Sequence, residues 1–293
     1  MALSDSAPLF MGIDGGGTSC RVRLADADGR VLANARAGSA NVYQSTETSW
    51  HSIEQATSDA LTQAGLPLEA RSRIEVVAGL AGSEIDAARD RFLARPHGFA
   101  RFHLLNDGQI ACVGAHGGED GAMLVVGTGI IGIAHQEGQW RRVSGWGFPL
   151  DDRGSGAWLG QQAVRHALWQ RDGLIEATDL TRAVWEQYSD SISGLIGWAQ
   201  EAKSVDYGKL APLVVDWYEK ADPHAVRIIE RQAEVLNALL DALQQPPQPL
   251  VVLGGLGPFV SDRLAERHQA QLRPSQGDAL DGALRLALQR SLD

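Results

Sequence analysis

Cysteine is scarce in this sequence, and the two present, Cys20 and Cys112, lack the paired spacing of a zinc site or a disulfide framework. Inert thiols in a reducing cytosol are therefore expected. The eight histidines show no H-x-x-x-H or other metal spacing, which argues against a zinc site. Positive charge is short as well, with 26 Lys and Arg against 36 Asp and Glu. The formal net charge of −10 and pI near 5.3 disfavour nucleic acid and anionic membranes as partners, because a polyanion is repelled over most of such a surface. A small-molecule partner is expected instead. No window approaches the roughly 20 apolar residues of a membrane span. Met1 to Phe10 contain Asp5 and lack a basic start followed by a long apolar run, so the expectation is a cytoplasmic protein without a secretory signal. There is no G-K-[ST] tripeptide, which sets a P-loop aside.

What the chain has is 44% hydrophobic residues over a length that suits two lobes. Leu9 to Asp14 is an apolar strand pattern running into small residues, Cys20 to Leu24 alternates like a second strand, and Val31 to Arg36 reads as a third after the Asp28-Gly29 turn. A helix follows over Thr46 to Ala64, closed by Gly65, and then strand, helix and strand over Ile74 to Leu80, Glu84 to Ala94 and Arg101 to Leu105. The opening then recurs. Ala122 to Val126, Gly127-Thr128-Gly129, Ile130 to His135, Gly138 and Gln139 to Val143 repeat strand, glycine turn, strand, turn, strand, which points to an internal duplication. A helical region runs from Ala157 to about Leu243, Gln245-Pro246-Pro247 breaks it, Leu250 to Leu253 is a last buried strand, and Ala279 to Ser291 reads as a closing helix. The fold class expected is α/β, duplicated, with two lobes facing a common cleft. Their expected spans are 1–115, joined by the closing helix at 279–293, and 116–278 with a helical insertion.

Gly12-Ile13-Asp14-Gly15-Gly16-Gly17-Thr18 is the first motif with chemistry in it. Successive glycines let backbone N–H groups approach a phosphate with no Cβ in the way. The Thr18 hydroxyl adds a donor, and Asp14 at the strand end suits a hydrated Mg²⁺. A glycine-rich hairpin with Asp14 capping a turn fits the same residues. A dinucleotide fingerprint does not, since a strand rather than a helix follows. Asp107 lies at the carboxyl end of a buried strand, where α/β sheets bind ligands, and suits a general base for phosphoryl transfer to a hydroxyl. An N-cap is its alternative use.

Gly127, Thr128 and Gly129 match the first turn at the equivalent place in the repeat. Gly145-Trp146-Gly147-Phe148-Pro149, continuing to Gly156, suits sugar binding through its aromatic and its acids. It equally suits a solvated connector capped at Asp152 or Ser155. Gly254-Gly255 allows close backbone approach to a flat ring such as adenine, or makes an ordinary strand-to-helix turn. Asp278-Ala279 with Gly282-Ala283 suits close packing of the final helix. The helical tryptophans Trp169, Trp185, Trp198 and Trp217 read as core or interface, which leaves a homodimer open.

Taken together, these motifs resemble the hexosamine kinases of the N-acetylglucosamine kinase type, above all the bacterial glucosamine kinases. These sit within the BadF/BadG/BcrA/BcrD ATPase-like branch of the actin, hexokinase and Hsp70 superfamily. The resemblance spans nearly the whole chain: Gly12 to Arg21, Gly38-Ser39-Ala40-Asn41, Asp107 with Ala111-Cys112, Phe148-Pro149 with Gly154-Ser155-Gly156, Asp206-Tyr207-Gly208 and Asp278 to Leu284. It implies two ribonuclease-H-like lobes closing over ATP, Mg²⁺ and an amino sugar. By resemblance Asp107 is the base toward the sugar 6-hydroxyl, and Asn41 and Asp152 are sugar ligands beside Gly145, Trp146 and Gly147. Gly16, Gly17, Thr18, Gly127, Thr128 and Gly129 meet the nucleotide phosphates, Gly254 and Gly255 the adenosine, and Asp14 the Mg²⁺.

Relatives continue the second turn as G-T-G-S, so Ile130 is expected to remove a hydroxyl from the pocket edge. Many also carry D-E-G-S where Arg153 replaces the acid. Free glucosamine and its N-acetyl form both remain open as acceptors. A nucleotide-dependent sensor or activator ATPase on the same fold is the other functional class; an iron–sulfur activator would need clustered cysteines, and a sugar-sensing regulator a basic DNA-binding segment before Gly12.

Overall fold

The computed structural model describes residues 7–289. The chain forms two compact units, one holding the chain up to Gly121, His135–Gln139 and the stretch from Pro274 on, the other holding Ala122–Ala134 and Trp140–Arg273.

The first unit begins with β1 (Leu9–Gly15), β2 (Cys20–Ala25) and β3 (Val31–Ala37). β1 is buried on both faces through Leu9, Phe10, Met11 and Ile13, which is why its sequence is a continuous apolar run. β2 instead alternates, with Cys20, Val22 and Leu24 inward and Arg21 and Arg23 on the other face. The β2–β3 turn is locked by Asp26, whose Oδ1 accepts from the N–H groups of Asp28 and Arg30 at 3.1 and 2.9 Å. Helix α1 (Thr46–Gln63) is capped by Ser45, whose hydroxyl accepts the Thr48 N–H, and it ends as Gly65 takes φ +67°. A 3-10 turn over Leu68–Arg73, β4 (Ile74–Leu80), α2 (Asp86–Leu93), β5 (Arg101–Leu105) and α3 (Asp107–Ala115) follow. Trp50 of α1, fully buried, stacks on Phe92 of α2 with centroids 4.4 Å apart and fixes both helices on the sheet.

The second unit carries most of β6 (Gly121–Val126), β7 (Ile130–Gln136) and β8 (Gln139–Val143), whose residues Gly121, His135, Gln136 and Gln139 fall in the first, and then a helical stretch. That stretch comprises α4 (Gly156–Arg171), α5 (Asp179–Gln187), α6 (Ile192–Glu201), α7 (Ser204–Gly208), α8 (Ala211–Glu219) and α9 (Pro223–Leu243). After it come β9 (Leu250–Leu253), α10 (Gly257–Ser261) and α11 (Glu266–Gln269). Trp185 sits in the helical core, Trp198 and Trp217 pack against it, and Trp169 remains 39% exposed. Asp222 caps α9 and also accepts the Leu180 N–H of α5 at 3.1 Å, so one carboxylate joins two helices. No helix among the described residues is long and apolar enough to cross a membrane.

The sheets repeat one another. The first has the order β3-β2-β1-β4-β5, with β1 antiparallel to β2, β2 antiparallel to β3, and β1–β4 and β4–β5 parallel. The second has β8-β7-β6-β9, with β6 and β9 parallel, and a single parallel bridge from Leu250 to Leu272 stands where a fifth strand would lie. This matches the duplicated ribonuclease-H-like architecture that the family resemblance implies.

The chain closes with α12 (Ala279–Gln289), which packs on β1 and α3 in the first unit; positions 290–293 of the expected closing helix lie outside the described residues. Glycines set this contact. A Cβ on Gly12 would lie 2.5 Å from the Leu284 nitrogen, and one on Gly282 would lie 2.5 Å from the Gly114 nitrogen. Strand and helices therefore touch backbone to backbone.

Candidate active site

In the first unit the candidate residues gather at the carboxyl ends of β1, β4 and β5. β1 ends at Asp14-Gly15, and Gly15 O accepts from Ala81 N at 2.8 Å while Gly16 O accepts from Ala40 N at 2.9 Å. These bonds hold the turn from beneath. A Cβ on Gly16 or Gly17 would meet nothing within 4 Å, so that side of the turn is open to a ligand. The Gly16 N–H already bonds Ser19 O at 2.9 Å within the turn.

Ala40 leads into Asn41. The Asn41 Oδ1 accepts the N–H groups of Tyr43 and Gln44 at 3.1 and 3.0 Å, which orients the amide and leaves Nδ2 as its donor. Beneath it Gly82 takes φ +80°, and a Cβ there would lie 2.8 Å from Asn41 Oδ1. Ser83 ties this loop to β5 through Leu105 O at 3.0 Å.

Asp107 is the first residue of α3. The cap itself is Asn106, which exchanges hydrogen bonds with Gln109 in a capping box, so the N-cap alternative for Asp107 is set aside. Asp107 is open to solvent, yet the protein around it is dense, and that partial burial is the first cause pushing its carboxyl pKa above the ordinary Asp value. The Gly108 N–H at 2.9 Å pulls the other way, and the charges of Glu84 and Asp14 add to the rise. A solvent-reachable carboxylate made more basic by its neighbours has the properties of a general base.

Asp14 is engaged by Arg21, which stands opposite it in the β1–β2 register. Arg21 Nε and Nη2 both donate to Asp14 Oδ2, at 3.1 and 2.6 Å, and Nη1 donates to Asp278 Oδ2 at 2.9 Å. The bond to Asp14 is the first cause holding the guanidinium pKa above its usual value. Asp14 Oδ1 takes neither donor, so the residue fits a hydrated divalent cation. The next rung of β2 repeats the pattern, as Arg23 pairs with Asp281.

In the second unit the turn Gly127-Thr128-Gly129 is closed by a bond from Gly127 N to Gly129 O at 2.9 Å. Gly156 N and Ala157 N, at the start of α4, donate to the carbonyls of Gly127 and Thr128 at 2.7 and 3.0 Å. A Cβ on Gly127 would meet nothing within 4 Å. Gly254, at φ +91°, lies against Val126, whose carbonyl takes the Leu256 N–H at 3.0 Å. Gly254-Gly255 is thus adjacent to the end of β6 and its turn. Gly208 backs Thr128, since a Cβ there would lie 3.2 Å from Thr128 Cγ2, and Tyr207 packs on Phe148 with centroids 5.0 Å apart.

The loop from Ser144 to Ser155 bends through positive φ at Ser144, Gly145, Gly147, Asp152 and Gly154. Arg142 donates to the carbonyls of Ser144 and Gly145 and lies 4.3 Å from the Trp146 ring centre, while Trp146 stays 68% exposed. Ser144 Oγ donates to Asp151 at 2.8 Å, and Gln232 of α9 donates to Gly154 O at 2.6 Å. Asp152 is buried, which is the first cause raising its pKa, and its Oδ1 accepts the Ile130 N–H at 3.5 Å. Ser155, not Asp152, caps α4. Hydrogen bonds therefore hold the loop in place, while Trp146 and Leu150 stay exposed to solvent.

Two expectations drawn from departures change here. The Ile130 side chain lies in the hydrophobic core at 3% exposure, so it removes nothing from a pocket edge. Arg153 is exposed and lines a groove with Arg231, Glu234 and Val235 of α9, turned toward that helix. The sequence reading assigned no role to Arg21, although it closes the first motif, nor to Glu84, Gly82 or Gln232. Arg21 had a signal in the hairpin register, whereas Gln232 had none, being 78 positions from its partner.

Known proteins resemble this chain along most of its length. The model of the BadF/BadG/BcrA/BcrD ATPase family matches residues 11–255. The glucosamine kinase GspK of Vibrio cholerae is 33% identical over 279 residues, covering 95% of both chains. A solved structure from Chromobacterium violaceum, described as that of a candidate N-acetylglucosamine kinase, superposes with a TM-score of 0.81 at 35% identity, covering 96% of this chain and 99% of that one. A ROK family glucokinase from Streptomyces griseus, solved with glucose and AMPPNP, shares the fold at a TM-score of 0.51 and 20% identity, covering 96% of this chain and 99% of that one.

Proposed function

Because the chain belongs to the BadF/BadG/BcrA/BcrD ATPase family, we propose that it is an ATP-dependent kinase of an amino sugar, phosphorylating the 6-hydroxyl of D-glucosamine. The observation that carries the reading is Asp107, a solvent-reachable carboxylate of raised pKa just past the carboxyl end of β5, on the side of the sheet that carries the open glycine turn and Asn41. Its role is to orient the sugar hydroxyl and accept its proton. The bond from O6 to the γ-phosphorus forms as the bond from that phosphorus to the ADP oxygen breaks, and the proton passes to Asp107.

The amides of Gly17, Thr18, Thr128 and Gly129 are the proposed phosphate donors, and Gly254-Gly255 is the proposed adenosine contact. Mg²⁺ supplies charge neutralisation on the phosphates, and Asp14 is the residue that would hold it. Asn41 Nδ2 and the exposed Trp146 face are the groups offered to the sugar. Asp152 Oδ1 accepts the Ile130 N–H, and the remaining lone pairs of the carboxylate are the ones offered to the sugar. N-acetylglucosamine is the alternative acceptor, since Ile130 and Arg153 both point away from the site and put no barrier to an acyl group there.

The test is Asp107→Asn assayed in a coupled ADP system beside sugar binding by calorimetry. Turnover falls by about 10²-fold or more while the sugar still binds. Turnover near wild type removes the base assignment.

A further inference from the structure

We propose that Arg21 is a positioning residue that sets the Asp14 carboxylate for the metal–nucleotide and ties it to the helix pair bearing Asp107. The inference rests on the reading of Asp14 as the residue that holds Mg²⁺.

The register places Arg21 directly across from Asp14, and both Nε and Nη2 converge on one oxygen, Oδ2. A planar fork held this way fixes the rotation of the carboxylate and presents Oδ1. The third arm, Nη1, reaches Asp278 Oδ2 at 2.9 Å. Asp278 stands immediately before α12 and is itself fixed, because its N–H donates to Asp281 Oδ2 at 2.9 Å and its Oδ1 accepts the Asp281 N–H at 3.0 Å. Arg23 holds Asp281 one rung further along β2. Helix α12 packs backbone to backbone on α3 through Gly282 and Gly114, and α3 carries Asp107 at its first position. One guanidinium thus joins the metal carboxylate to the helix that aims the base.

The charge balance separates this role from simple neutralisation. Two carboxylates, Asp14 and Asp278, share one guanidinium, so the group keeps a net negative charge and remains attractive to a cation. Removing the guanidinium makes the group more negative, which favours a cation, and at the same time frees the carboxylate to rotate, which harms alignment. The two consequences have opposite signs, and that is the signature to measure.

The experiment compares Arg21→Met, Arg21→Lys and Asp14→Asn in the full chain, with folding checked by thermal unfolding. Mn²⁺ binding in the presence of ADP is followed by electron paramagnetic resonance, and kcat is measured with Mg-ATP and glucosamine. Arg21→Met is expected to bind Mn²⁺ several-fold more tightly while kcat falls by roughly 10-fold or more. Arg21→Lys, which keeps the charge without the fork, returns Mn²⁺ affinity to the wild-type value and leaves kcat low. Asp14→Asn loosens Mn²⁺. Wild-type kcat in the folded Arg21→Met and Arg21→Lys variants overturns the positioning role. Unchanged Mn²⁺ binding in Asp14→Asn overturns the metal reading beneath it, an outcome recognisable apart from the first.

Discussion

Substituting Gly282 with alanine tests the backbone contact between α12 and α3, on which the placement of both Asp14 and Asp107 depends. The added Cβ would fall on the Ile110 carbonyl and 2.5 Å from the Gly114 nitrogen, and neither is a flexible side chain that can swing aside. Helix α12 must lift, taking Leu280, Ala283 and Leu284 partly out of their packing. Overpacking of this kind costs about 1–3 kcal/mol, and contact with two backbones puts it at the upper end. The helix propensity of alanine returns about 1 kcal/mol. The net expectation is a loss of about 2 kcal/mol, or a fall in Tm of roughly 4–8 °C. Gly197→Ala is the control, since Gly197 lies within α6, is exposed, and its Cβ would meet nothing within 4 Å. The same chemical change there should raise stability by about 0.5–1 kcal/mol. Differential scanning fluorimetry and urea midpoints read both. A Gly282→Ala protein as stable as the wild type refutes the packing argument.

Activity should fall with acid through a pKa above the ordinary Asp value, because the base role proposed for Asp107 needs its carboxylate ionised and its surroundings raise it; Glu84→Gln should move that limb of the kcat/KM profile to lower pH. Both thiols are buried and pushed up to about 12, first by burial, so native protein should leave a disulfide reagent unreacted until denaturant is added. At Asp222, burial opposes ionisation, but the N–H groups of Leu180, Ala225 and His224 outweigh it and hold the pKa below its usual value. A depressed pKa contributes stability above the unfolded value near 3.8 that is lost as pH falls through the folded one. Asp222→Ala should therefore cost about 1–2 kcal/mol at neutral pH and flatten the acid side of the stability curve.

The strands and the duplication were legible because period and punctuation coincide. Leu9 to Gly15 is apolar throughout as a central strand must be, β2 alternates, and α1 starts at Ser45 and stops at Gly65. The division of the long helical stretch into α4 to α9 was not legible, since tertiary packing decides where each short helix stops. The glycine turns were found, but not that Gly16 N and Gly127 N are used up by bonds within each turn. Asp107 was placed correctly at a strand end, while its cap proved to be Asn106, one residue earlier. Ile130 was misjudged because the expectation came from the serine that relatives carry at this position, and a motif comparison does not say which way the side chain faces. The bonds from Arg21 to Asp278 and from Gln232 to Gly154 act across the fold, on partners that no local pattern names.

The most direct measurement is the product itself. Purified protein with Mg-ATP and D-glucosamine, followed by phosphorus NMR, should form the sugar 6-phosphate and ADP in equal amounts, with turnover depending on the sugar and nearly absent in Asp107→Asn. N-acetylglucosamine run in parallel ranks the two acceptors by kcat/KM. ATP hydrolysis at one rate with and without every hexosamine, and no phosphosugar, would contradict the kinase assignment.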